Sequence, residues 1–431
     1  MKLRFVLICI FLMSAMLVGQ TFRGTILGTV TDPGGLLVAG ATVRVRNVAT
    51  GLERTSTTTG DGSYSIPELP GGSYTVAISQ PGFQTSITTN VEVNVATERR
   101  IDVQLKTGQV TQMVEVSGGD LPQIETTSND LGGVLTSKGV EDLPVNGRDY
   151  TKLIFLNPGV AGSPDQITDS PGSFGEFSMN GARGRSNNYL LDGTDMNDGY
   201  RNDPAINQGG VFAVPSAILP IGAVAEMKVL SNFQPEYGRN AGAVVNIVTK
   251  SGTNALHGEL FEYFRNNALD ARNYFNQVGE QRAPFHNNQF GGSFGGPIIK
   301  DKTFFYMNYE GQRETVGTVT LACVPDPAVV QADIADIIKR GGTPSPVTQA
   351  MLKFWPKPNI PGATSDNFGC TGGPNGSSNS SLITPSYNNL SSVIGKIDHN
   401  FNQNNILTGR YFFGDSTQSF PLALTLSLIH I

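Results

Sequence analysis

"MNGARGRSNNYLLDGTDMND", residues 179–198, is the stretch on which the reading of this chain turns. Three glycines, two arginines and three aspartates crowd around a short apolar core. A phosphate-binding loop needs G-x-x-x-x-G-K-[ST], because backbone amides surround the phosphates while a lysine reaches them. Here Gly181 and Gly184 are three apart and no lysine follows. Asp192, Asp195 and Asp198 are spaced by three, whereas a calcium loop takes its ligands from every second residue and closes with a glutamate. Exposed Asp and Asn clusters are ordinarily turn formers. What remains is "NNYLLDG", a strand running into an Asp-Gly tight turn. The stretch is structural: a glycine-lined crossing, a strand and a turn.

The chain around it is long enough for two to four domains, at 431 residues. Its 51 glycines, single tryptophan and 15% charged residues suit strands, turns and long loops better than helical bundles. A net charge of −6 gives no global footprint for nucleic acid. Lys2 and Arg4 precede the apolar "FVLICIFLMSAMLVG" (5–19), which reads as a secretory signal peptide over residues 1–20. About 15 apolar residues is short for a membrane anchor. Cys9 lies inside that leader. The other two cysteines, Cys323 and Cys370, share one long loop, and an exported chain is where they can bridge.

Residues 21–106 alternate with a period of two. Val43 and Val45, then Tyr74, Val76 and Ile78, then Ile101, Val103 and Leu105 are interleaved with polar or small residues. The turn clusters "DPGG", "TGDGS" and "LPGGS" separate the runs, which predicts a small β-sandwich. Residues 107–250 mix short apolar runs with Gly, Asn and Pro. Strands are expected at 225–231 and 243–249 and a short helix in 137–144, an α+β domain. From 251 to 431 strands are expected at 256–266, 288–297, 303–312, 390–400 and 405–414. Their connections alternate: long (267–287), short (298–302), very long (313–389), short (401–404). Outer-membrane barrels have that asymmetry, with short periplasmic turns, long outer loops and strands of about ten residues. In "NILTGRYFFG" Leu407, Gly409, Tyr411 and Phe413 share one face, and Thr408 and Arg410 the other. In "SVIGKIDH" Val393 and Ile397 oppose Lys396 and Asp398. The apolar face meets lipid and the polar face lines a lumen.

Three segments carry family resemblances. "GTVTDPGGLLVAGATVRVRNVATGLERTSTTTGDGSYSIPELPGGSYTVAISQPGF" (28–83) resembles the carboxypeptidase regulatory-like domain, a transthyretin-type sandwich. "NGARGRSNNYLLDGTDMND" with "GAVAEMKVLSNFQPEYGRNAGAVVNIVTKSGTN" is similar to the plug of TonB-dependent outer-membrane receptors, through Arg183, Gly184, the Leu191-Asp192-Gly193 turn and the closing "GRNAGAVVNIVTKSG". "HGELFEYFRNNALDARNYF" and "NNQFGGSFGGPIIKDKTFFYMNYEGQRE" resemble the first barrel strands of the Oar-like branch. The resemblance implies a multi-domain chain: an all-β transthyretin-like sandwich, an α+β plug and the first strands of a transmembrane antiparallel β-barrel. It also implies nutrient import across a Gram-negative outer membrane, driven through a TonB-type partner, with no cofactor. Siderophore, oligosaccharide, cobalamin and peptide all remain open as ligands.

"QVTQMVEVSG" (109–118) resembles the TonB box, an extended peptide that pairs with the partner by strand addition, a role carried by Thr111, Met113, Val114, Glu115 and Val116. The same residues read equally well as the first strand of the plug. In the loop 313–389, Phe354, Trp355 and Tyr387 are candidate contacts for an extracellular glycan or peptide, or else a local packing cluster. A surface adhesin without transport is the second reading of the chain. An exported zinc hydrolase is the third. It lacks support, since none of His257, His286, His399 and His430 has a glutamate three residues later, and no G-x-S-x-G elbow occurs. Neither a catalytic nor a metal site is expected. Five strands are far short of the about 22 that close a plugged transporter. "FPLALTLSLIHI" (420–431) also loses the alternation, so the chain is expected to be a piece of a longer barrel, with the origin of residues 420–431 left open between native and foreign.

Overall fold

Turn chemistry and period-two alternation build most of the structure. The computed structural model describes residues 23–109, 113–117, 131–145, 148, 150–162, 177–197, 202, 219–233, 237–238, 241–271, 282, 284–352, 355–360, 362–366, 369–371 and 378–419. The leader, Thr111, Phe354, His430 and the tail 420–431 lie outside the described residues. The chain divides into two compact units. One comprises Met1–Leu260, Gly291–Glu310 and Ser392–Asp415, the other Phe261–Phe290, Gly311–Ser391 and Ser416–Ile431.

In the first unit, β1 (Gly24–Thr31), β4 (Ser63–Leu69), β7 (Glu98–Arg100) and β8 (Val103–Gln104) form one sheet of the sandwich. The other contains β2 (Thr42–Asn47), β3 (Glu53–Thr57), β5 (Gly72–Ser79), β6 (Thr85–Val93) and β9 (Met113–Ser117). The alternating residues of the sequence point inward as expected. Val43, Val45, Tyr74, Val76 and Ile78 are at most 1% exposed, each contributing about 2 kcal/mol by burial. Gly28 is fixed by packing, since a Cβ there would fall 1.9 Å from the Ile101 carbonyl oxygen of the adjoining segment. β9 lies parallel to β6, with Met113 opposite Thr85 and Ser117 opposite Thr89. The sandwich sheet thus runs past residue 106, and β9 is no part of the sheet that follows.

That next sheet has the order β10-β15-β16-β13-β14, from β10 (Leu131–Thr136), β13 (Asn188–Leu191), β14 (Thr194–Asp195), β15 (Val224–Asn232) and β16 (Val244–Thr249). The short pair β11 (Val160–Ala161) and β12 (Ser178–Met179) stands apart. α1 (Ser137–Asp142) occupies the segment read as helical, with the Thr136 hydroxyl accepting from Gly139 N at 3.4 Å. β16 is buried at nearly every position, as a strand covered on both faces must be, and packs with Tyr189, Leu191, Met227 and Val229 in one core.

The remaining long strands form a third sheet, order β17-β18-β19-β22-β23: β17 (His257–Asn266), β18 (Phe285–Ile299), β19 (Thr303–Ala322), β22 (Ser380–Asn400) and β23 (Ile406–Ser419). Residues 300–302 and 401–405 are short turns, which oblige the pairs they join to run antiparallel. All five expected strands are present, but β19 and β22 reach 20 and 21 residues. The ten-residue expectation counted only a bilayer crossing, and paired strands continue beyond it because each added residue pair satisfies more backbone groups. The five strands make an open wall among the described residues. In the second unit the rest of 313–389 holds α2 (Pro327–Lys339), α3 (Pro346–Leu352) and the hairpin of β20 (Thr364–Asp366) with β21 (Gly369–Thr371).

Along β19, Tyr306, Asn308 and Glu310 are buried while Met307 and Tyr309 are exposed. Along β22, Ile394 and Lys396 are buried and Ile397 exposed. Leu407, Tyr411 and Phe413 of β23 are exposed, and Leu260 of β17 is 90% exposed. Large apolar side chains exposed in this way are a liability in water and match the lipid-facing pattern expected of barrel strands from the sequence.

Candidate functional site

The Leu-Asp-Gly turn is where the sequence motif acquires neighbours. β13 and β14 are joined by Asp192 and Gly193 alone, with Leu191 paired to Thr194. Both turn residues have positive φ, 48° and 77°, the conformation of a type I′ turn that Asp-Gly tolerates. Asp192 is pinned to β16 by its own main chain, whose N–H donates to the Ile247 carbonyl at 2.8 Å. Its carboxylate accepts from Thr249 N at 2.8 Å and Thr249 Oγ1 at 2.6 Å.

Two cations of the strand wall converge on that carboxylate. Arg410 of β23 donates to Asp192 Oδ2 through Nη1, and the same nitrogen lies 3.3 Å from the Leu191 carbonyl. Lys396 Nζ of β22 is 3.9 Å from Asp192 Oδ2 and donates to Thr249 O and Oγ1, each at 3.1 Å. The Asp192 and Lys396 side chains are 9% and 7% exposed, and Arg410 20%. Away from water these charges depend on one another, since a buried ion left alone is costly.

Two further links join the wall strands to this region, and a third pair lies within it. Arg148 Nε donates to Glu310 Oε1 of β19 at 2.9 Å, with both side chains largely buried. The Tyr306 hydroxyl donates to the Gly222 carbonyl at 2.6 Å. Lys250 pairs with Glu141 of α1. Glu226 and Lys228 of β15 reach the segment after β6. Glu226 Oε2 accepts from Val95 N at 2.9 Å, and Lys228 Nζ donates to the Ala96 carbonyl at 2.6 Å. Burial pushes the Glu226 carboxyl up to about 7, helped by the nearby Glu92 and opposed by the Val95 hydrogen bond and by Lys228.

Of the motif residues, Asp192 and the Leu191 carbonyl therefore form the contact with the wall, and Gly193 completes the turn that presents them. Arg183 is exposed, and its carbonyl accepts from Ser186 N in the turn that Gly184 opens. Met113, Val114, Glu115 and Val116 lie in β9 on the sandwich edge. Cys323 and Cys370 are disulfide-bonded, tying the end of β19 to β21 in the second unit. Trp355 follows α3, with its N–H on the Leu352 carbonyl, while Tyr387 is an exposed residue of β22. Among the described residues no ring contact joins these two. His286 pairs with Asn266 and His399 with Thr303, and no group of three metal-ligating side chains occurs among the described residues. Sequence reasoning placed Lys396 and Arg410 on the polar face of their strands but did not pair them with Asp192. Arg148, Glu310 and Thr249 carried no signal at all.

The outer membrane beta barrel domain family matches residues 248–428, and the carboxypeptidase regulatory-like domain family matches residues 25–106. The TonB-dependent transporter Oar of Myxococcus xanthus is 29% identical over 301 residues, 66% of this chain and 26% of that protein. The probable TonB-dependent siderophore receptor PirA of Acinetobacter baumannii is 28% identical over 192 residues, 43% of this chain and 24% of that protein. The chain thus spans about a quarter of the length of these curated relatives. They are a transporter and a receptor, not enzymes. Among solved structures, the ferric enterobactin receptor of Pseudomonas aeruginosa aligns with 67% of this chain and 33% of its own, at 15% identity and a TM-score of 0.36. The resemblance to TonB-dependent receptors of the Oar-like kind, drawn first from the motifs, is borne out by the two domain matches and the two curated relatives.

Proposed function

We propose that this chain, similar to TonB-dependent outer-membrane receptors and carrying both a regulatory-like and an outer-membrane barrel domain, works in the energised import of a scarce nutrient. In this reading residues 107–250 are a plug closing the lumen, residues 1–20 direct export, and 109–118 is the box grasped by a TonB-type protein. The observation that carries it is the Asp192 network. It fastens a two-residue turn to the wall strands through charged groups, beside an apolar contact in which Tyr306 and Ile394 of the wall join the core of Leu191, Val224 and Ile247. Breaking these pairs is costly while they stay dry, so the load has to come from outside, and once water enters the separated charges are hydrated and line a path. No nucleotide or metal is required, because the work comes from the inner membrane through the partner.

A siderophore is the ligand suggested by the name of the Acinetobacter relative, with oligosaccharide, cobalamin and peptide as the other classes. Phe354, Trp355 and Tyr387 are the proposed outer-loop contacts. Deleting residues 109–117 in the producing strain tests the reading. Surface binding of nutrient should survive while energy-dependent uptake stops. Unchanged uptake would remove the box assignment. Ligand binding with no uptake even by the unaltered strain would favour a surface adhesin. Growth of a deletion strain on single iron, sugar, cobalamin and peptide sources identifies the ligand class.

A further inference from the structure

We propose that the cleft between the sandwich and the turn 401–405 seats the phosphodiester headgroup of a membrane glycerophospholipid, which pins the sandwich to the foot of the strand wall. The proposal needs the lipid-facing row of the wall and is independent of import. The cleft has a volume of about 610 Å³. Arg23, Arg54 and Glu68 line it from the sandwich, and the turn with Ile406 and Leu407 lines it from the wall.

Two guanidiniums face one carboxylate, so the lining carries an excess of positive charge. Arg54 Nη1 donates to the Pro67 carbonyl at 2.9 Å, while its Nε is buried with no hydrogen-bond partner. Burial, and after it the repulsion of Arg23, lowers the Arg54 pKa below the ordinary arginine value, against the pull of Glu68 and Tyr74. A buried N–H without an acceptor, next to a second guanidinium, is answered by a phosphate oxygen in both charge and geometry.

The apolar side of the cleft selects among phosphates. Leu407 is exposed and begins the outward row that continues with Tyr411 and Phe413. Phe401 is also exposed, and its ring packs edge-on against His399 with centroids 4.5 Å apart. The turn between them is stiff, since Asn402 Oδ1 accepts from Asn404 N and Asn405 N, each at 2.9 Å. A free phosphate gains nothing from Phe401 and Leu407. A phospholipid lays its glycerol and first methylenes along them while its phosphate meets the arginines. Short barrel turns lie on the periplasmic side and carry aromatic residues at headgroup level, so the lipid comes from the periplasmic leaflet.

Native mass spectrometry of the full chain in detergent tests this. The lipid probe is dihexanoyl phosphatidylglycerol, with glycerol 3-phosphate as the headgroup alone and dihexanoylglycerol as the tails alone. The chain should retain the lipid more tightly than either part. Arg23→Gln and Arg54→Gln should each weaken retention about tenfold, and Arg54→Lys, which keeps the charge without the planar fork, should weaken it less. Should Arg54→Gln fail to fold through loss of the Pro67 bond, Arg23→Gln decides alone. Unchanged retention in the glutamine variants would put the lipid elsewhere and overturn the proposal. Glycerol 3-phosphate held as tightly as the lipid would replace it with a free phosphate compound. Dihexanoylglycerol held as tightly would leave an apolar groove without a phosphate seat, and either result overturns the assignment.

Discussion

Asp192 is the residue on which the motif depends. One carboxylate faces Lys396 and Arg410 and also takes two hydrogen bonds from Thr249. Asp192→Ala leaves two buried cations without their anion and should cost about 3–5 kcal/mol. The measurement is the thermal midpoint of the detergent-solubilised protein, together with protease cleavage near residues 188–195. Asp192→Asn keeps an acceptor for Thr249 N but loses the charge and the second acceptor, and should fall between the unaltered protein and Asp192→Ala. Glu226 makes a different demand. Its carboxyl, raised to about 7, binds a proton in the folded chain across a range where the unfolded chain, near 4.5, has released it. The stabilisation is therefore fully present below about pH 4.5 and is lost as pH rises through about 7. Protection at residues 94–97, taken as exchange relative to each amide's intrinsic rate at the same pH, should be greater at pH 5 than at pH 8, and Glu226→Gln should flatten the difference. An unchanged pH dependence in that variant would assign the effect to another group.

At the scale of elements, the segment 323–379 shows how a long connection is held in order. Asp326 caps α2 by accepting from Ala328 N at 2.8 Å, with Pro327 in the first turn, where its missing N–H costs nothing. The Cys323–Cys370 bond closes a loop with a sequence separation of 47, a cross-link worth about 4 kcal/mol by chain-entropy arguments. Thiol labelling of the unreduced, denatured protein should find no reactive cysteine. Cys323→Ser with Cys370→Ser should speed proteolysis within 327–352 while the wall strands stay protected. Asn379 works beside the disulfide. Its carboxamide accepts from Val324 N and donates to the Val324 carbonyl, both at 2.8 Å, so β19 and the start of β22 stay joined where the ladder ends.

For the whole molecule the decisive contrast is between the two faces of one wall. Lys396 is buried on β22, whereas Leu260, Tyr411 and Phe413 stand exposed on β17 and β23. In water the second group would be a defect; in a bilayer it is the solvent-matched surface. Leu260→Arg should cost about 2–4 kcal/mol in lipid if it lies near the bilayer midplane, and Tyr411→Arg less if it lies nearer an interface. Folding yield into vesicles of defined thickness reads this out. An equal yield for Leu260→Arg and a charge placed on the buried face would contradict the lipid assignment.

Much of this was legible because the deciding signals are local. The Asp-Gly turn, the inward valines of β2 and β5, and the outward row Leu407, Tyr411 and Phe413 all follow from neighbours one or two residues away, where sterics and side-chain alternation act directly. The family resemblance was legible for the same reason, since its motifs are short and contiguous. Tertiary structure alone decided the pairing of Asp192 with Arg410, across 218 residues, and of Arg148 with Glu310, across 162. It also placed β9 on the sandwich edge, a choice that local β-propensity leaves open between two sheets. The physical reason is common to both. A charge or a strand edge needs a partner, and its own sequence states that need without naming which distant segment the folded chain brings to meet it.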